Sequence, residues 1–124
     1  MFKISDSEFQ EIINTSIASL PKAYVDRLDN VAFIVDEYPS QDQRTKLELR
    51  NDQTLFGLYE GVPLSQRQGR LKLLPDKITI FKSPIENASS SLQQLQNQVA
   101  KTIWHEIAHY YGLNHEQINN LDKV

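Results

Sequence analysis

The chain contains no cysteine. Disulfides and thiolate chemistry are therefore excluded, and any metal must be held by nitrogen and oxygen ligands. Methionine and tryptophan occur once each. No stretch approaches the roughly 18 consecutive apolar residues of a membrane-spanning helix. The N-terminus, Met1-Phe2-Lys3-Ile4-Ser5-Asp6-Ser7-Glu8, turns acidic at once and has no apolar signal core. Strong charge is also missing: the formal net charge is −3, which disfavours nucleic acid as the main partner. These absences lead us to expect a cytoplasmic protein without membrane attachment. What is present is ordinary globular composition, 40% hydrophobic and 23% charged over 124 residues. That suits a single domain over 1–124, able to bury a core without staples.

The N-terminal third reads as packing elements. Ser5 or Ser7 can cap a helix whose first turns hold Glu8 and Glu11. Phe9, Ile12, Ile13, Ile17 and Leu20 recur at helical spacing until Pro21. Residues 21–28 suggest a short second helix or turn. Val31–Val35 is a five-residue apolar run rich in β-branched types, expected to be a strand buried on both faces. The carboxylates beyond it, Asp36, Glu37 and Asp42, fall in a polar loop, and residues 41–53 are expected to continue as a long loop.

Leu55–Tyr59 is the second strand candidate, stopped by Gly61 and Pro63. Gly57 inside it marks a bulge, a close backbone approach or simple packing. Ser65–Lys77 carries Arg67, Arg70, Lys72 and Lys77 against one acid, Asp76. It is read as a solvated loop, with an anionic substrate or RNA as the alternative. Lys77–Lys82 alternates polar and apolar, which predicts a third strand with one face on the core, closed by Pro84.

The chemistry lies near the C-terminus. Ser residues at 89–91 offer N-caps, and Leu92, Leu95, Val99, Ile103, Ile107 and Tyr110 follow helical spacing up to a glycine cap at Gly112. At about 100° per residue the apolar stripe centres roughly opposite the midpoint of His105 and His109. The two histidines then share a face with Gln98 and Thr102, polar above the site. All three histidines of the chain, His105, His109 and His115, lie in this region. Imidazoles at i and i+4 stand side by side and can bridge one metal ion. Gly112 lets the chain turn so that His115 can return as a third ligand. Three neutral imidazoles suit Zn²⁺ and leave a position for water, whose acidity the ion raises. Glu106 lies about 100° round the helix from His105. That makes it a general base for the water and a carrier of its proton to a leaving amine, and not a ligand.

His105-Glu106-Ile107-Ala108-His109-Tyr110-Tyr111-Gly112-Leu113-Asn114-His115 matches the extended motif His-Glu-x-x-His-x-x-Gly-x-x-His of metzincins. The chain also resembles a family of very small bacterial zincin-like metallopeptidases. Leu28–Val31, Phe56–Leu64, Pro75–Phe81 and Val99–His115 follow that family's order. The resemblance implies an α+β minimal zincin-like fold, a small mixed β-sheet of three to four strands packed on helices, with a long metal-binding active-site helix. It implies a zinc-dependent metallopeptidase acting on peptide or unfolded polypeptide. Zn²⁺ would be held by His105, His109 and His115, with Glu106 catalytic. In zincins an edge strand above the metal pairs with substrate; Leu55–Tyr59 and Ile78–Phe81 are the two candidates. Metzincins carry a methionine turn after the third ligand, whereas the single methionine here is Met1 and nine residues follow His115. A shallow, open site is therefore expected, and Glu116 is a local alternative to His115. Tyr59, Tyr110 and Tyr111 are candidate oxyanion donors. The competing readings are a metal-dependent RNA hydrolase of the rRNA-maturation type, with the same histidine spacing, and a zinc-binding module of low catalytic power.

Overall fold

The computed structural model describes residues 1–63, 75–113 and 116. Among these residues the elements run α1 (Asp6–Ala18), α2 (Lys22–Val25), β1 (Val31–Asp36), α3 (Gln41–Lys46), β2 (Gly57–Glu60), β3 (Asp76–Phe81), α4 (Lys82–Ala88) and α5 (Leu92–Tyr110). The fold is α+β with a small mixed sheet, as expected. The strand order is β1-β3-β2, with β1 parallel and β2 antiparallel to β3. Among the described residues no helix is long and apolar enough to cross a membrane.

Helix α1 starts where its cap chemistry dictates. The Ser5 hydroxyl accepts a hydrogen bond from the Glu8 amide, and the Glu8 carboxylate accepts one from the Ser5 amide, so two otherwise unpaired donors are satisfied. Phe9 and Ile13 on its inner face meet Leu95, Val99, Ile103 and Ile107 of α5, with Ile78 and Ile80 of β3 completing the core. Each fully buried aliphatic side chain there contributes about 1.5–3 kcal/mol.

Two strands exchange the roles their composition suggests. The apolar run Val31–Val35 lies in β1 (Val31–Asp36), an edge strand among the described residues, with Ile34 36% exposed. The alternating segment Lys77–Lys82 falls mostly in β3 (Asp76–Phe81), the central strand, and Thr79 and Phe81 are both fully buried. The expectation of a doubly buried β1 and a one-faced β3 is thus reversed. Strand order, which composition does not encode, decides burial.

Two further corrections concern helices. The long loop expected over 41–53 opens with α3, started by a second capping box between Ser40 and Gln43. Gln43 is buried and donates to Glu60 Oε1 at 3.0 Å, tying α3 to the end of β2. Pro84 ends β3 from inside α4, where it occupies the first turn and its missing N–H costs nothing. Helix α4 also anchors the N-terminal segment. Phe2 N–H donates to the Glu86 carbonyl (3.1 Å) and Ile4 N–H to Glu86 Oε2 (2.9 Å).

Candidate metal centre

Helix α5 carries the site. Ser91 caps it by accepting from the Gln94 amide (3.1 Å). Its far end closes at Gly112, φ 83°, a left-handed position that glycine adopts without strain. There Gly112 N–H donates to the His109 carbonyl (2.9 Å) and Leu113 N–H to the Ala108 carbonyl (3.1 Å). This is the Schellman arrangement, and the glycine exit read from the sequence is present.

Between these ends, the rings of His105 and His109 stand 4.8 Å apart, centroid to centroid, at an interplanar angle of 75°. Both are half-buried. Ligand atoms of His105, Glu106 and His109 all lie within 4.8 Å of one another. Two imidazoles at this separation are nitrogen donors that fit a divalent ion such as zinc, with the Glu106 carboxylate beside them. His109 is also in the last turn of α5, where the helix dipole favours positive charge.

Glu106 departs from any simple surface glutamate. It is 7% exposed, and its Oε1 accepts the Tyr59 amide hydrogen at 2.9 Å. Burial raises its pKa from 4.5 to about 7, against the opposing pull of the Tyr59 hydrogen bond. A divalent cation beside it would favour the charged form.

The Tyr59 amide reaches Glu106 because of the sheet register. Phe81 N–H donates to the Phe56 carbonyl at 2.8 Å. Alternation then turns the backbone groups of Gly57 and Tyr59 away from β3. The close approach is permitted by Gly57. A β-carbon there would sit 2.6 Å from Thr102 Cγ2, 3.2 Å from the Thr79 carbonyl oxygen and 3.3 Å from Glu106 Cγ. Of the readings of Gly57, close backbone approach is the one observed. Thr102, expected with Gln98 on the polar face of the histidines, is buried beneath β2, and its hydroxyl donates back to the Gln98 carbonyl at 2.7 Å.

The three tyrosines considered as oxyanion donors are engaged elsewhere. Tyr59 Oη donates to Asp76 Oδ2 at 2.6 Å, Tyr110 Oη accepts from the Asp29 amide at 3.1 Å, and Tyr111 Oη donates to the Tyr24 carbonyl. They brace β2, the entry to β1, and α2. Glu116 is exposed. His115 lies outside the described residues, as do Arg67, Arg70 and Lys72.

Alongside His105 runs a groove of about 470 Å³ lined by Thr54, Leu55, Phe56, Gly57, Gln98, Lys101, Thr102, His105 and Glu106. The residue that sequence reading passed over is Lys101. Its place one turn before His105 was the available signal.

A helix-borne pair of imidazoles with a buried carboxylate, under the edge of a mixed sheet, defines a metal-dependent hydrolase type of site. The sequence model of the zincin-like metallopeptidase family matches residues 28–124, and the chain belongs to that family. Among curated proteins no match was found.

Proposed function

We propose that this protein is a zinc-dependent peptidase in which His105, His109 and His115 hold the metal and Glu106 is the general base. The observation that carries this reading is the anchored carboxylate. Glu106 is desolvated, fixed by one neutral amide, and set within 4.8 Å of two imidazole ligand atoms. A bound divalent ion would supply a Lewis acid that polarises a substrate carbonyl and acidifies water.

The remaining chemistry belongs to the chain's own residues. Glu106 Oε1 stays on the Tyr59 amide, which leaves Oε2 to take a proton from water and deliver it to the leaving amine. Between the two strands considered for substrate pairing, β3 is central, and among the described residues β2 is an edge. Its Gly57 backbone groups and Tyr59 carbonyl face outward, positioned to hold an extended peptide over α5.

A peptide-library digest tests this reading. Zinc-loaded wild type should cleave, and Glu106→Ala should cut the rate by about 10²–10⁴-fold at equal zinc content. Equal cleavage by the two proteins refutes the assignment of Glu106. Metal binding without cleavage by either protein supports the zinc-binding module instead.

A further inference from the structure

We infer that the groove beside His105 selects substrates carrying a carboxylate on the C-terminal side of the scissile bond, and that Lys101 is the residue that selects it. This inference rests on the peptidase reading above and deepens it.

The groove is continuous with the site, since His105 and Glu106 are part of its lining. Its walls differ in chemistry. Leu55 and Phe56 offer an apolar side, while the α5 side is polar. Among the described lining residues Lys101 is the single cation and Glu106 the single acid. They stand five residues apart on α5, about 140° round the helix, with His105 between them. Glu106 is drawn inward under β2 by the Tyr59 amide. Lys101 is on the opposite flank and exposed. Among the described residues the ion pairs join Arg50 with Asp52, Lys77 with Glu60, and Lys82 with Asp6, so Lys101 is not consumed by a partner acid. The entrance side of the groove thus presents a positive charge, and the inner side a base.

Direction and distance follow from the same elements. Strand β2 and helix α5 run in the same sense here: Gly57 lies over Thr102, and Tyr59 over Glu106 and Tyr110. A peptide added antiparallel to β2, the more stable pairing, lays its C-terminal side over Thr54–Gly57. That is where Lys101 lines the groove. Lys101 is one turn before His105, about 6 Å along the axis, or about two residues of extended peptide. An acidic side chain, or the free C-terminus of a short peptide, at that distance meets the ammonium.

The experiment uses two readouts. Zinc-loaded wild type, Lys101→Ala and Lys101→Glu are given matched peptides that differ only as Asp or Asn, Glu or Gln, or free acid or amide. Wild type should prefer the acids. Lys101→Ala should lower the ratio of kcat/KM for the acids to that for their neutral partners about five-fold, and Lys101→Glu should reverse the order. In parallel, metal-free proteins are titrated by NMR with an N-acetyl tripeptide acid and its amide. The acid should shift amides across residues 98–105 in wild type and less in Lys101→Ala. Equal responses to acid and amide, or an unchanged preference in the variants, overturn the inference. If wild type cleaves nothing, the peptidase reading fails, and the titration still decides whether Lys101 recognises a carboxylate.

Discussion

Two ionisable side chains in this small protein are each 7% exposed, and they are treated differently. Lys82, at the start of α4, has an answering charge: its Nζ lies 2.6 Å from Asp6 Oδ1. Burial alone would depress its pKa, but the Asp6 bond, with Glu86 and Glu37 nearby, raises it. Among the described residues Glu106 in α5 receives only the neutral Tyr59 amide, and burial prevails, raising its pKa to about 7. The lysine pins the N-terminal helix to the sheet's end and is compensated in place. The glutamate is desolvated and under-compensated, beside two imidazoles that can bring a cation to it. Incomplete compensation distinguishes a working charge from a bracing one.

Gly57 sharpens this contrast most. Glu106 is buried because β2 lies close over α5, and a valine at 57 would push its β-carbon to 2.6 Å from Thr102. We expect Gly57→Val to cost about 1–3 kcal/mol in stability, read by denaturant unfolding. Activity should fall by more than the lost folded fraction, because the Tyr59–Glu106 bond is displaced.

The glutamate side of the comparison is tested in metal-free protein. A carboxylate whose folded pKa lies above its unfolded value contributes stability at low pH that is lost as pH rises through the folded value. Metal-free protein should therefore lose on the order of 2–3 kcal/mol between about pH 4.5 and 7 through Glu106. Glu106→Gln keeps an acceptor for the Tyr59 amide and should flatten that slope in chemical unfolding at a series of pH values. An unchanged slope would place the buried charge elsewhere.

The lysine side gives the smallest effect. With its folded pKa raised, Lys82 contributes stability present below about pH 10.4 and lost as pH rises further. Asp6→Asn should remove about 1 kcal/mol or less at neutral pH, since Asp6 is mostly exposed, and should weaken the alkaline dependence seen by thermal unfolding.

The site was legible in the sequence to the extent that it is local. His105, His109, Glu106 and the Gly112 exit are fixed by helical spacing and cap chemistry, both readable within a few residues. The capping box at Ser40 and Gln43 was equally local and was overlooked in favour of the surrounding polarity. What could not be read depends on strand order and on contacts distant in sequence. The apolar run Val31–Val35 carries no sign of lying at an edge, nor Thr79 of being fully buried. The Tyr59 amide, 47 positions from Glu106, carries no side-chain signature at all. The helix wheel puts Thr102 on the polar face of the histidines and has no knowledge of the strand that closes over it.

The central claim is that α5 holds one zinc ion through His105 and His109. Its most direct test is a chelator-competition titration of zinc into metal-free wild type and His109→Ala. One ion per chain, weakened at least about 100-fold in the variant with its helical content intact, is the result expected. Equal affinity in the two proteins would contradict the site.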